Sequence, residues 1–181
     1  MQDNPYLFQS ERLGFRNWSI NDLDEMYAIN SNKEVMEFFP RAPTKEETNS
    51  FISRMQKQFE QNQFCYFAVE KTENREFIGF IGISTQDYEA DFTPCIDIGW
   101  RIKKSAWHKG YATEGAKATL DYAFNKLQLK HIYAIAPAVN TRSEAVMKKI
   151  GMSKVKNFIH PQLINDKRLG KCVLYEIKAV I

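Results

Sequence analysis

The segment WRIKKSAWHKGYATEGAKATLDYA, from Trp100 to Ala123, combines the end of a strand, a short polar loop and the start of a helix. The helix is predicted to begin at Gly110-Tyr111, because small or apolar residues recur at helical spacing, at Ala112, Ala116, Leu120, Ala123 and Leu127. The first turn of a helix has unpartnered backbone N–H groups, and the helix dipole adds roughly half a positive charge there. A phosphate approaching from the loop would therefore be bound, and Gly110 lets the backbone come close to it.

Residues 107–116, WHKGYATEGA, resemble the acetyl-CoA pyrophosphate loop of the GNAT superfamily of N-acetyltransferases, often written R/Q-x-x-G-x-G/A. Gly110 and Ala112 fill the two small positions of that motif. Trp107 stands where the family usually has Arg or Gln, and His108 stands where many members have a further Gly. The resemblance implies acetyl-CoA as co-substrate, held by Trp100, Arg101, Ile102, His108, Lys109, Gly110, Tyr111, Ala112 and Thr113.

The remaining segments predict the order β-α-α-β-β-β-α-β-α-β-β, which is the order of a GNAT domain. The predicted strands cover residues 11–17, 64–70, 77–84, 95–102, 131–136, 153–159 and 171–177. Helices are predicted after the capping residues Ser19 and Thr44, at Gly110, and from Asn140 to a C′ glycine at Gly151. The resemblance implies a mixed α/β fold with a mostly antiparallel sheet and one parallel β-α-β crossover, in a single domain spanning residues 1–181.

Composition limits the classes of function. The chain has 181 residues, 44% of them hydrophobic, which suits one domain with a substantial core. A net charge of +3 is too small to indicate a nucleic-acid surface, and no apolar run reaches the ~18 residues of a membrane span. Three cysteines, Cys65, Cys95 and Cys172, show no metal-ligand spacing and suggest a reducing compartment. We expect a cytoplasmic monomer or homodimer that uses no metal and binds neither nucleic acid nor membrane.

A second match lies near the C-terminus. Asn140-x-x-Ser143-x-x-Val146-x-x-Lys149-x-Gly151-Met152, then Phe158-Ile159-His160-Pro161 and Val173-Leu174-Tyr175, is similar to the ribosomal-protein N-terminal acetyltransferase (RimJ/RimL-type) branch. The resemblance implies that Asn140 and Ser143 contact the pantetheine arm or the thiol region of acetyl-CoA. Without the family, they would be a turn residue and a polar residue of a first helical turn. Met147 occupies the position where many superfamily members have a tyrosine acid.

Acetyl transfer to an amine needs a neutral nitrogen, a polarised thioester carbonyl and a hydrogen bond for the departing thiolate. Asp97, on the strand before the cofactor loop, is the candidate base or amine anchor; the alternative is an edge carboxylate facing solvent. Ser143 is the candidate donor to the thiolate, with Tyr175 as an alternative or a core residue. The resemblance further implies that the parallel strands separate and admit the pantetheine arm between them.

Several aromatic residues and basic residues permit two interpretations. Four aromatic residues would either flank an acceptor groove or belong to the core: Phe38, Phe39, Tyr88 and Phe92. Five lysines would form either a cationic rim for the cofactor or ordinary solvated surface: Lys103, Lys104, Lys109, Lys148 and Lys149. A triad of Cys95 with His108 and His160 is rejected, because no third partner has suitable spacing.

The leading hypothesis is therefore an N-acetyltransferase that acts on a primary amine, with a protein N-terminus favoured over a polyamine or amino sugar. An α-amine of pKa near ~8 loses only ~1.4 kcal/mol by being protonated at neutral pH, whereas a lysine amine loses ~4.6 kcal/mol. A non-catalytic acyl-CoA-binding module remains the alternative from a different class, because Trp107, His108 and Met147 depart from the family pattern.

Overall fold

A computed structural model describes residues 4–179, which contain eight strands and four α-helices. In chain order they are β1 (Phe8–Gln9), β2 (Leu13–Arg16), α1 (Leu23–Asn30), α2 (Lys45–Asn62), β3 (Tyr66–Lys71), β4 (Phe77–Gln86), β5 (Cys95–Ile102), α3 (Tyr111–Asp121), β6 (His131–Pro137), α4 (Thr141–Lys149), β7 (Ser153–Ile159) and β8 (Lys171–Lys178). The predicted mixed α/β fold is confirmed. β1 was not predicted, because two residues are too short to show an alternating pattern.

The strands form one sheet in the order β1-β2-β3-β4-β5-β6-β8-β7. Every neighbouring pair is antiparallel except β5 and β6, which are parallel, as the predicted β-α-β crossover requires. The parallel contact is brief, since Asp97 opposite Tyr133 is its single register pair within the described residues. Beyond that pair the two strands separate, which opens a gap near the centre of the sheet.

Local sequence signals fix where the helices begin. Before α2, the Thr44 side chain accepts a hydrogen bond from the Glu47 amide, and the Glu47 carboxylate accepts one from the Thr44 amide. Ser19 makes a similar capping box and leads through a short 3₁₀ turn into α1. These reciprocal bonds satisfy N–H groups that a helix start leaves unpaired, and they confirm both predicted starts.

Helices cover both faces of the sheet. Ile81 and Ser84 lie on opposite faces of β4, because side chains alternate along a strand. Ile81 packs against Gly115 of α3, while the Ser84 hydroxyl donates to Gln58 of α2 at 2.9 Å. The core therefore lies on both sides of the central strands, and no helix within residues 4–179 is long and apolar enough to cross a membrane.

The close approach of β3 and β4 depends on Gly82. A Cβ atom at this position would lie 2.6 Å from both the Tyr66 Cα and the Phe67 nitrogen, which are backbone atoms in the middle of the sheet. Gly82→Ala is therefore expected to lower the free energy of unfolding by about 3 kcal/mol, measured by urea denaturation.

Gly115→Ala is the matched control for this substitution. Its Cβ would meet the ends of the Ile81, Leu13 and Phe15 side chains and no backbone atom of the sheet, and alanine favours a helix by about 1 kcal/mol over glycine. We expect a change of less than about 1 kcal/mol. Equal stability losses in the two variants would show that the backbone contact at Gly82 does not limit the sheet.

Candidate active site

A cleft of about 720 Å³ occupies the gap between β5 and β6 and extends to the first turns of α3 and α4. Eleven of the twelve residues predicted for the site line it: Asp97, Trp100, Arg101, Ile102, His108, Gly110, Tyr111, Ala112, Thr113, Asn140 and Ser143. Lys109 does not line the cleft, and its carbonyl instead accepts a hydrogen bond from the Arg12 side chain at 3.0 Å. The structure thus brings together residues separated by more than forty positions in the chain.

The loop before α3 presents backbone amides to the cleft. His108 has φ of 60° and Gly110 has φ of 83°, so the chain turns sharply before the helix begins. The first helical amide with a backbone acceptor is that of Glu114, which donates to the Gly110 carbonyl at 3.0 Å. The amides of Tyr111, Ala112 and Thr113 therefore have no partner within the helix, and with the helix dipole they suit an anion.

An ion pair that the sequence did not reveal holds this loop in place. Arg12 of the loop before β2 bonds the Glu114 carboxylate through Nε at 2.7 Å, and Ser10 donates to the same carboxylate at 2.7 Å. The Arg12 guanidinium also lies 4.6 Å from the ring centre of Tyr111. Because Glu114 is in the first turn of α3, these contacts fix the helix start against the edge of the sheet.

Trp107 fixes the other end of the loop. Its indole N–H donates to the Ile102 carbonyl at 2.9 Å, and the Arg142 guanidinium lies 4.6 Å from its ring. The same guanidinium lies 5.3 Å from the ring of Phe38, so α4, the loop and the segment after α1 meet here. Packing contacts thus hold the Trp107 side chain at a position where the family motif usually has a polar side chain.

The predicted cationic rim is only partly available to a ligand. Lys103 pairs with Glu76, and Lys104 pairs with Glu34. Lys148 lies 3.6 Å from Glu144. Lys149 lines the cleft, and neither it nor Lys109 lies within 4 Å of a carboxylate among residues 4–179.

Asp97 lies inside the cleft and is 9% exposed, so the alternative of a solvent-facing edge carboxylate is wrong. Its Oδ1 accepts hydrogen bonds from the Tyr66 hydroxyl at 2.5 Å and the Gln86 amide at 3.1 Å. Burial raises the pKa of Asp97 to about 6, and the two hydrogen bonds oppose that shift. Asp97 is therefore mostly ionised at neutral pH and titrates close to it. No sequence pattern identified Tyr66 or Gln86 as a residue of the site.

The first turn of α4 forms the opposite wall. The Asn140 side chain caps the helix, accepting a hydrogen bond from the Ser143 amide at 3.1 Å. The Ser143 side chain lines the cleft, as does Met147, which is 1% exposed. Tyr175 is buried, and its hydroxyl donates to Glu144 at 2.6 Å, so that hydroxyl is already engaged outside the cleft.

The four aromatic residues that the sequence assigned either to an acceptor groove or to the core fall into two pairs in the structure. Phe38 and Phe39 line the cleft. Phe92 packs against Tyr133 and Phe158, and the ring centres of Tyr88 and His160 are 4.5 Å apart. These rings pack together and do not line the cleft. 

The structure does not support Cys95 as a nucleophile. Burial raises the pKa of the Cys95 thiol to about 11, which disfavours the thiolate. Burial also lowers the pKa of His160, which is engaged with Tyr88. Within residues 4–179 no group of three His, Cys, Asp or Glu residues is arranged to hold a metal ion.

A mixed sheet with a gap at its parallel pair, and helix amides facing that gap, defines the acyl-CoA N-acyltransferase class. The chain belongs to the GNAT acetyltransferase family, since the family model for an acetyltransferase (GNAT) domain matches residues 12–153. It is an acetyl-CoA N-acetyltransferase of the GNAT type. An uncharacterized N-acetyltransferase of Bacillus subtilis, YnaD, is 30% identical over 146 residues, which cover 80% of this chain and 81% of that protein.

Solved structures agree on the fold. An acetyltransferase of the GNAT family from Bacillus anthracis is 28% identical with a TM-score of 0.77, covering 94% of this chain and 96% of that one. RimL, a ribosomal α-N-protein acetyltransferase solved with coenzyme A, has a TM-score of 0.75 at 12% identity over 93% and 95% of the chains. A spermidine N-acetyltransferase from Vibrio cholerae, solved with CoA and spermine, has a TM-score of 0.72 at 20% identity over 92% and 95%. The last two show a shared fold alone.

Proposed function

We propose that this protein transfers the acetyl group of acetyl-CoA directly to a primary amine, with a protein N-terminal α-amine favoured over a small-molecule amine. The observation that carries the proposal is the gap beyond the Asp97–Tyr133 pair, which runs into the unpartnered amides of α3. The proposal treats residues 1–181 as one catalytic domain. Coenzyme A in the RimL and spermidine acetyltransferase structures supports this assignment of the co-substrate.

In this proposal the amides of residues 108–113 bind the pyrophosphate of acetyl-CoA. The pantetheine arm then lies between β5 and β6, along the part of β5 from Gly99 to Ile102 that pairs with β4 on one side and has no strand partner on the side of the gap. An N–H group on this edge would polarise the thioester carbonyl as negative charge develops on its oxygen. Asn140 and Ser143 lie on the far wall, next to the arm.

Asp97 is proposed as the base or anchor for the amine. Both side-chain hydrogen bonds to Asp97 reach Oδ1, so Oδ2 remains to accept one from an ammonium or amine group. Burial and the charge of Asp97 raise the pKa of Tyr66 well above its ordinary value, so the phenol keeps its proton and holds the carboxylate in place. Ser143 is proposed to hydrogen-bond the departing thiolate, because Met147 cannot donate and Tyr175 is engaged by Glu144.

Two other functions remain to be separated from this one. Transfer to a polyamine is suggested by the spermidine acetyltransferase fold neighbour. A non-catalytic acyl-CoA-binding role is disfavoured by membership of the N-acetyltransferase family, and it is tested because Trp107, His108 and Met147 replace common family residues. Titration calorimetry with acetyl-CoA, followed by thiol release with panels of peptides and small amines, distinguishes the three: binding without turnover across both panels would overturn the catalytic proposal.

Gly110→Asp is expected to abolish acetyl-CoA binding, because it places bulk and negative charge beside the pyrophosphate site. For the unaltered protein we expect a Kd on the order of 10 μM, within the usual range of KM values. Gly151→Asp is the matched control, since Gly151 also has a positive φ, of 88°, but lies outside the cleft lining. Retained affinity in Gly110→Asp would mean that the loop does not hold the pyrophosphate.

Asp97→Asn is expected to lower kcat/KM about 100-fold at pH 8, where Asp97 is ionised. Because protonation removes the base, the wild-type advantage should shrink toward one as the pH falls through about 6. Titration of the amine itself affects both proteins equally and cancels in their ratio. A ratio that stays constant between pH 5 and pH 8 would exclude Asp97 as the titrating group, and Asp87→Asn, at an exposed position, is the control.

Ser143→Ala is expected to reduce kcat about tenfold while changing the Kd of acetyl-CoA less than threefold, as loss of a transition-state contact should. Single-turnover kinetics and calorimetry measure the two effects separately. Thr141→Ala tests for a general disturbance of the helix start, since Thr141 is exposed in the same turn. If rate and affinity fall equally in Ser143→Ala, the hydroxyl does not act on the thiolate.

A further inference from the structure

Arg101 is a largely buried cation in the cleft that has no anionic partner in the described part of the chain. Its guanidinium lies 4.1 Å from the ring centre of Phe39 and 5.4 Å from that of Phe80. Nη1 donates to the Asn30 side chain at 2.7 Å, and Nε is buried without a hydrogen bond. Among residues 4–179 no carboxylate lies within 4 Å of it. The charge is thus desolvated and unneutralised, which lowers the pKa of Arg101 to about 10.

The neighbouring polar groups fix this arrangement. The Thr48 hydroxyl donates to the Thr44 carbonyl at 2.9 Å and so accepts from the Asn30 amide nitrogen at 3.0 Å. The Asn30 carbonyl oxygen is thereby turned toward Arg101. This oxygen is neutral, so it orients the guanidinium without balancing its charge.

A second buried arginine shows what a structural role requires. Arg16 bonds Asp22 through two nitrogens, at 2.7 and 2.8 Å, and Glu70 at 2.6 Å. Its charge is therefore compensated within the fold, in agreement with the cost of burying an unpaired ion. Arg101 lacks such compensation, and it lines the cleft whereas Arg16 does not.

The geometry points to an anion of the acceptor as the partner of Arg101: we propose that the acceptor is a primary amine that also carries a carboxylate or phosphate group. This inference rests on the proposed function, because it assigns the acceptor to the same cleft. Every second residue of a strand faces the same side, so one face of β5 carries Asp97, Gly99 and Arg101. An amine at Asp97 and an anion at Arg101 would therefore lie on either side of Gly99.

The space between the two charges is defined by Gly99 and Tyr66. A Cβ atom at Gly99 would lie 3.1 Å from the Tyr66 ring, so that ring packs directly over Gly99 and lies between the two charges. The Cα atoms of Asp97 and Arg101 are ~13 Å apart at ordinary strand rise. The anion is therefore several bonds from the nitrogen. It would be an acidic side chain near the N-terminus of a peptide, or the carboxylate or phosphate of a small amine.

The test measures binding of matched pairs to the protein saturated with coenzyme A, by titration calorimetry. The pairs are C-terminally amidated Ser-Asp and Ser-Asn peptides, γ-aminobutyrate and its amide, and phosphoethanolamine and ethanolamine. We expect the anionic member of at least one pair to bind tenfold or more tightly. The peptide, carboxylate and phosphate pairs distinguish the source of the anion. Equal binding within every pair, or no binding by any member, would overturn the inference.

Variants assign the preference to one side chain. Arg101→Met and Arg101→Gln are expected to reduce the preference below threefold, and the glutamine variant keeps a donor for Asn30. Arg54→Met is the control, since Arg54 lines the same cleft at an exposed position and should keep the preference. A preference that persists in both Arg101 variants would exclude Arg101 as the anion site.

Two further readouts separate folding and catalysis from recognition. Arg101→Met removes an uncompensated charge, so its Tm should not fall, whereas Arg16→Met should lower Tm by leaving Asp22 and Glu70 unpaired. Turnover with acetyl-CoA is measured in the same samples. An anion preference without turnover would support Arg101 as the anion site and refute the catalytic proposal. Turnover without an anion preference would support the catalytic proposal and refute the role of Arg101.

Discussion

The divergence of β5 and β6 after the Asp97–Tyr133 pair is the constraint on which the rest of the site depends. β5 is paired along its whole length with β4, and β6 along its whole length with β8, so each strand is stabilised from its outer side. The two strands can therefore separate without losing those ladders. Backbone groups on their inner edges are left without a strand partner, and such groups need hydrogen bonds from a ligand or water. An amide-containing chain such as pantetheine has the chemistry to supply them.

The same divergence distributes function over the two faces of the sheet. α3 packs on the face of Ile81 and presents its N-terminus at one end of the gap, where Arg12 and Glu114 hold it. On the other face, Asp97 and Arg101 lie among Tyr66, Phe80 and the segment after α1. The proposed cofactor and acceptor thus approach from different sides and meet where the strands part, which leaves a short path for direct transfer.

The sequence predicted what local patterns encode. Capping boxes located α1 and α2, alternation located β2, and glycine before an amphipathic helix located the candidate cofactor loop. Contacts between distant segments were not predictable in this way. Tyr66 and Asp97 are 31 residues apart, Arg101 and Asn30 are 71 apart, and Arg12 and Glu114 are 102 apart. For the same reason, two pairs of loop aromatics looked equivalent in sequence, although only Phe38 and Phe39 line the cleft.

Asp97 and Arg101 carry opposite charges on one face of one strand, yet they form no ion pair within 4 Å. Each is held by a neighbour that does not cancel its charge: Tyr66 holds the carboxylate, and Asn30 holds the guanidinium. A fold optimised for stability alone would pair them or replace both with apolar residues, since an uncompensated buried ion costs several kcal/mol. The Tyr66 ring packs over Gly99 and keeps the two apart, so the cleft presents one charge on each side of that ring. A bound molecule of complementary charge would regain the stability lost by this arrangement, and this is the physical basis of the proposed acceptor.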